Sequence, residues 1–338
     1  FLLDKLFDDI SNPYLTSSIC LTASSAFTKI PEFITPELLD YATKLLYVIK
    51  PTLGASHQLK SCSYVHREPL NESQLFIEIY KATLETEFVP NSFDTDIWEC
   101  TLIALCHLLT FHSSEIHLLA FSLFSTMYNA LSVSSENLCC LAIRGLGKLF
   151  DTLSSDITHN YLQLVLSRID DIYDMACGFV SFRLALIYMY ANIIKRLGSV
   201  YIDLNNEREQ RMFERINQSA ATVFTLSSAK EINDVNEMIL YAYFCIFGGF
   251  DRNRPFLLDI SKQNIFPLIE SIWKNKVFNE KSLNALYQLI YSIGNTLTNQ
   301  VNIDLNRRYV KNLVRQGCEI ESIRKTAEDL LDFLENAI

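Results

Sequence analysis

The sequence predicts an all-α protein built as an elongated stack of helical repeats. Three observations carry this: turn-forming residues are scarce, apolar residues recur three and four apart along most of the chain, and one apolar pattern returns about every 42 residues. Glycine (9) and proline (8) are few for 338 residues, which argues against the many tight turns of an all-β fold. That length exceeds the roughly 250–300 residues at which a single hydrophobic core stops growing, and a stack avoids the limit by giving each unit its own layer. A hydrophobic fraction of 49% and a mean hydropathy of +0.13 supply ample core and exclude intrinsic disorder.

The helical stripes are explicit in Leu102, Leu105, Leu108 and Leu109, and again in Leu141, Leu146, Leu149 and Phe150. They recur in a fixed frame, a small residue followed by apolar residues at offsets of one, four and five. Ala104 leads Leu105, Leu108 and Leu109; Gly145 leads Leu146, Leu149 and Phe150; Ala185 leads Leu186, Met189 and Tyr190. Ala242 then leads Tyr243, Ile246 and Phe247, and Ala285 leads Leu286, Leu289 and Ile290. The sixth copy, Ala327 with Leu331, is degenerate, and Glu328 and Asp332 stand in its apolar slots. Successive heads lie 41, 40, 57, 43 and 42 residues apart. The long interval holds the polar stretch 203–215, expected as an insertion extending from the stack. A small residue at each head lets two helices approach closely, and polar residues in the last copy suit a capping unit with a wet outer face.

These frames resemble the third, innermost helix of the armadillo family, and two-helix HEAT units have the same period. The resemblance covers residues 93–338 and rests on spacing. It implies a right-handed α-solenoid of armadillo/HEAT-like repeats. Residues 1–92 are expected to form a divergent N-terminal helical cap, with helices at 38–49 and 75–88 and a long loop at 50–74 carrying Pro51, Gly54 and Pro69. The whole is expected to be one continuous elongated domain.

Nine cysteines, an odd number mostly within apolar runs, predict reduced thiols and a cytoplasmic or nuclear location. There is no CxxC pair, and His107, His112 and His117 recur five apart, off a common helical face, so no metal site and no cofactor are expected. The longest apolar run, 238–250, is too short to span a bilayer. Phe1 opens the chain without a basic stretch leading into an apolar one, which predicts no signal peptide and suggests an excised segment. A net charge of −10 opposes phosphate backbones. The basic patches, Arg307, Arg308, Lys311 and Arg315 in one place and Arg252 with Arg254 in another, lack interleaved stacking aromatics and are expected as solvated faces. No nucleic-acid partner is expected.

One cluster points toward catalysis. Asp170, Asp171, Ile172, Tyr173 and Asp174 resemble the aspartate-rich magnesium motif of class I terpene synthases, and Arg308 with Tyr309 resembles an arginine–tyrosine pair of that family. The second metal motif departs from the family pattern: Asn233 and Asp234 are followed by Glu237 and then Tyr241 where a glutamate belongs, only 63 residues after the first. No nucleophile elbow and no phosphate-binding glycine loop is present, and Gly248 with Gly249 is expected to end a helix.

The armadillo register implies that offsets two and six line a concave groove: Cys106 and Thr110, Gly147 and Asp151, Ile187 and Ala191, Phe244 and Gly248, Tyr287 and Tyr291. Nuclear-import adaptors of similar architecture carry tryptophan and asparagine ladders there, and this chain has neither, which disfavours the binding of extended basic signals. Its aromatic residues Phe244, Tyr287 and Tyr291 suit an apolar or helical partner segment. The sequence therefore leads to a non-catalytic scaffold or adaptor for a partner protein or peptide, such as a regulatory domain for a small GTPase, cytoskeletal or chaperone partner. The alternative is a magnesium-dependent helical enzyme using Asp170, Asp171 and Asp174. Self-association as a homodimer is a third expectation.

Overall fold

A computed structural model describes residues 99, 102–106, 109, 119–131, 135–226, 232–251, 254–276 and 278–336. The expected cap over 1–92, with its loop at 50–74, lies outside the described residues, as does Thr110. Among the described residues the regular structure is helical throughout. The chain divides into two compact units, Phe1–Gly178 and Phe179–Ile338.

In the first unit, α1 (Ala120–Ala130), α2 (Glu136–Thr152) and α3 (Ser155–Ala176) follow the helical segment 102–106. Serines set two of the starts: Ser135 Oγ accepts from the Leu138 amide and Ser154 Oγ from that of Ile157, each at 3.4 Å. Such caps satisfy amides that have no partner within the helix and typically stabilise it by about 1 kcal/mol. The core joins Phe124 of α1 to Tyr161 of α3, stacked at 4.2 Å, and to Phe150 of α2 at 6.3 Å. Gly145, a frame head, leaves room for Met127. A Cβ there would lie 2.6 Å from the methionine Sδ and 3.3 Å from Cys106 Sγ.

The second unit contains α4 (Val180–Tyr201), α5 (Glu207–Leu226), α6 (Ile232–Gly249), α7 (Arg254–Ile260), a π-helical segment (Ser261–Ile265), α8 (Phe266–Asn275), α9 (Glu280–Leu305), α10 (Arg308–Cys318) and α11 (Arg324–Asn336). All the frame heads from Gly145 onward fall on alternate helices, α2, α4, α6, α9 and α11, with α7, the π segment and α8 counting as one bent helix. Each repeat is thus a two-helix hairpin. Ala104, Ala185, Ala242 and Ala327 are fully buried, while Ala285 is half-buried. Glu328 and Asp332 of the degenerate copy are exposed.

The frame-bearing helices of this unit pack side by side, α4 on α6 and α6 on α9, with α11 also against α9. The α4–α6 crossing is closest at Gly198 and Gly249. Gly198 has φ 54°, and a Cβ on it would lie 2.9 Å from the Gly249 carbonyl oxygen. Polar pins hold the other helices: Tyr241 of α6 donates to Asn192 Oδ1 of α4 at 3.0 Å, Arg215 of α5 donates to the Tyr190 hydroxyl at 3.3 Å, and Arg183 donates to Ser219 Oγ at 3.4 Å. Within the polar stretch 203–215, residues 203–206 form the turn before α5. Glu209 accepts from the Asp203 amide at 2.7 Å, and Glu209, Met212 and Phe213 are buried. Helix α9 starts with a reciprocal capping box, the Ser282 amide donating to Asn279 Oδ1 and the Asn279 amide donating to Ser282 Oγ, both at 2.9 Å.

Gly198 at the crossing and Gly248, the residue next to Gly249, test this packing. Gly198→Ala meets both a left-handed backbone and the Gly249 carbonyl, and should destabilise the fold by about 1–3 kcal/mol. Gly248→Ala has nothing within 4 Å of the new methyl and sits inside a helix, so it should be stabilising by about 0.4–1 kcal/mol. Thermal melts followed by circular dichroism should move in opposite directions for the two variants.

Candidate partner-binding surface

The groove residues expected from the frame divide according to their angular position. At about 100° per residue, offset two falls at the flank of the apolar stripe, where neighbouring helices pack, and offset six falls nearly opposite it. Ile187 and Tyr287, both at offset two, are buried and belong to the core. The Tyr287 hydroxyl donates to the Leu313 carbonyl of α10 at 2.8 Å and also reaches that of Val314 at 3.3 Å, while its ring fills the space left by Gly317. Cys106 is half-buried and faces α2, its thiol donating to the Leu141 carbonyl at 3.7 Å. Gly147 is buried and Phe244 half-buried. At offset six, Asp151 is half-buried, Gly248 exposed and Ala191 buried. Tyr291 is 51% exposed and leans on Phe333 of α11, with ring centroids 5.1 Å apart. Of the expected groove residues, Asp151 in the first unit and Phe244, Gly248 and Tyr291 in the second reach the surface, while Ile187 and Tyr287 are core.

The basic patch opens α10. Arg307 pairs with Asp304 at 2.6 Å, donates to the Tyr309 hydroxyl at 3.4 Å and lies 6.0 Å from that ring's centroid. Arg308 and Arg315 are exposed and Lys311 is half-buried; Arg315 donates to Asn312 Oδ1 at 3.4 Å. Glu270 is bonded to Lys274 at 2.7 Å, and that hydrogen bond and charge, together with Arg307, hold its carboxyl below the usual range. The carboxylates Asp304 and Glu270 come from neighbouring helices, while α10 itself carries only basic charges on a solvated face.

A cavity of about 220 Å³ opens in the second unit among α5, α6 and the π segment with α8. It is lined by Asn217, Ala220, Ala221, Tyr243, Gln263, Asn264, Pro267, Leu268 and Ser271. The Tyr243 hydroxyl donates to Asn217 Oδ1 at 3.0 Å in its wall. The sequence frames missed this site because its residues come from three separate helices, and two of them, Gln263 and Asn264, lie in π turns that follow no 3.6-residue period.

Comparison with solved structures places this arrangement. The whole chain matches importin β crystallised in an ammonium sulfate condition, with a TM-score of 0.59 at 16% identity over 39% of that chain. It also matches importin β in a polyethylene glycol condition, with a TM-score of 0.51 at 13% identity over 49% of that chain. A designed armadillo repeat protein matches 77% of this chain and 99% of its own length, with a TM-score of 0.51 at 15% identity. The chain has the armadillo/HEAT-type repeat fold. No protein-family model matches it, and no curated protein resembles it in sequence. It spans well under two thirds of the importin β chains it resembles.

On this repeat scaffold the acidic cluster sits toward the C-terminal end of α3. Asp171 and Asp174 are exposed, and Asp171 pairs with Arg168 at 3.8 Å. Arg308 and Tyr309 belong to the other unit. Among the described residues, no three His, Cys, Asp or Glu side chains are grouped to hold a metal ion. No helix among them is long and apolar enough to cross a membrane.

Two buried cysteines of the first unit, Cys106 and Cys139, are held in the thiol form. Burial pushes the Cys106 thiol up to about 12 despite the opposing charges of Arg144 and Lys148, and burial pushes Cys139 up to about 12 as well. Iodoacetamide at pH 8 should therefore modify neither thiol until the chain unfolds, as read by peptide mass spectrometry. These folded values lie above the ordinary thiol value of 9.0, so the stabilisation is complete below pH 9 and is lost as pH rises toward about 12. Melting temperature should fall across that window.

Proposed function

We propose that this chain is a non-catalytic scaffold that binds a partner protein or peptide along its helical surface. The armadillo/HEAT-type fold over the whole chain carries this reading. Stacked helical pairs give an extended, preorganised surface, and docking on it orders fewer groups than folding around a partner would. Asp151 in the first unit and, separately, Phe244 and Tyr291 in the second are the surface residues proposed to meet a partner, with Arg308 and Arg315 of the second as charges that steer approach. A regulatory domain for a small GTPase, cytoskeletal or chaperone partner fits this use. Reduced thiols fit a cytoplasmic or nuclear setting.

The test is affinity capture with the folded chain as bait, followed by titration calorimetry with the captured partner after purification. A stoichiometric complex weakened about tenfold by Tyr291→Ala, at unchanged melting temperature, is the expected result. The scaffold reading falls if no stoichiometric complex forms, and the enzyme reading gains if inorganic pyrophosphate binds in a magnesium-dependent manner that Asp171→Asn with Asp174→Asn abolishes.

A further inference from the structure

The cavity among α5, α6 and α8 has three properties that define an occupant. Its lining contains no Asp, Glu, Lys, Arg or His. A charged group seated in it would find no counter-ion among these side chains. Its polar atoms are those of carboxamides and hydroxyls, Asn217, Gln263, Asn264 and Ser271, and each carboxamide offers a donor and an acceptor together, the same pair that a peptide unit presents. Its apolar lining is Ala220, Ala221, Pro267, Leu268 and the ring of Tyr243. A volume of about 220 Å³ lies below the roughly 300–1,000 Å³ of pockets that enclose a whole small-molecule ligand, and suits one or two residues of a chain passing over it.

The backbone supplies an independent observation. Residues Ser261–Ile265 form a π-helical segment between α7 and α8, and this wider turn carries Gln263 and Asn264, which both line the cavity. Ser261 Oγ donates to the Leu257 carbonyl one turn back at 2.8 Å, and Ser261 and Ile265 are buried on the inner side of the segment. π turns are rare in helices and concentrate at functional sites because they redirect side chains. Across the cavity, the Tyr243–Asn217 hydrogen bond fixes the Asn217 carboxamide and turns its NH2 group into a donor of set position.

We propose that this cavity is a peptide-anchoring site that takes an uncharged residue of a partner's extended segment, whose main-chain amide groups pair with the carboxamides of Asn217, Gln263 and Asn264. The site rests on the scaffold reading and gives it a location and a partner chemistry. The occupant's side chain lies against Ala220, Ala221, Pro267 and Leu268, and a charged residue would find no counter-ion there.

The probe is a phage-displayed library of random twelve-residue peptides selected against the full chain, with peptide affinities then measured by fluorescence polarisation. Selected peptides should share one uncharged position. Ala221→Trp, which fills the cavity from an exposed helix position, should weaken them at least about tenfold. Asn264→Asp, which places a charge in the lining, should weaken them comparably and shift tolerance toward basic residues at the shared position. Lys325→Ala, at an exposed position of α11, should leave the affinity unchanged. The proposal is overturned if the selected peptides bind both cavity variants as well as the original chain, if their shared position is charged, or if no peptide is selected. Peptides that bind but ignore the cavity variants would retire this site while leaving the scaffold reading intact. Loss of the captured partner complex would do the reverse.

Discussion

Close approach between helices at small residues is the constraint on which the rest of the fold depends. At Gly198 and Gly249 the backbones of α4 and α6 nearly touch, and even a methyl group has no place between them. At Gly145 the space is taken by the flexible thioether of Met127, and at Gly317 by the aromatic ring of Tyr287. These three solutions differ in rigidity. Backbone against backbone fixes one crossing distance, whereas a methionine adapts its shape to whatever gap is left. The α4–α6 joint is the stiff one, and the bent helix carrying the π segment follows directly after α6.

Hydrogen bonds then choose one register among those that the small residues permit. Apolar stripes tolerate sliding by a turn, because Leu, Ile and Phe repeat along each helix. A tyrosine hydroxyl aimed at one carbonyl or one carboxamide does not, since a slipped register would leave a buried polar group without a partner at about 1–3 kcal/mol. Tyr190 with Arg215, Tyr241 with Asn192, Tyr243 with Asn217 and Tyr287 with the carbonyls of Leu313 and Val314 each tie two different helices together. Burial raises the ionisation of Tyr243 and Tyr287 well above the ordinary phenol range, so these hydroxyls remain neutral donors at physiological pH.

The fold was legible in the sequence because the frame repeats, and repetition is a property that one chain displays without any relative. Ala104, Gly145, Ala185, Ala242 and Ala327 are buried heads on alternating helices, as their spacing predicts. The groove was less legible. Offsets two and six were assigned from a three-helix unit, and in two-helix hairpins offset two falls where neighbouring helices pack, which is why Ile187 and Tyr287 are core residues while Tyr291 reaches solvent. The cavity was not legible at all. A π turn breaks the period by which helical faces are read, and Asn217, Gln263 and Ser271 share no pattern in the sequence that would bring them together.

A stack of this kind separates the tasks of attraction and selection. The chain carries a net charge of −10, so its long-range field favours partners with basic character and slows acidic ones. Helix α10 carries Arg308, Lys311 and Arg315 and no carboxylate, and Arg307 at its start pairs with Asp304. The cavity contributes no charge of its own. In the proposed peptide site, selection would fall to hydrogen-bond geometry and volume, to which the π segment and the Tyr243–Asn217 bond contribute. Carboxamides in a recess without charged side chains discriminate mainly against what they cannot pair, and a charged side chain would find no counter-ion there.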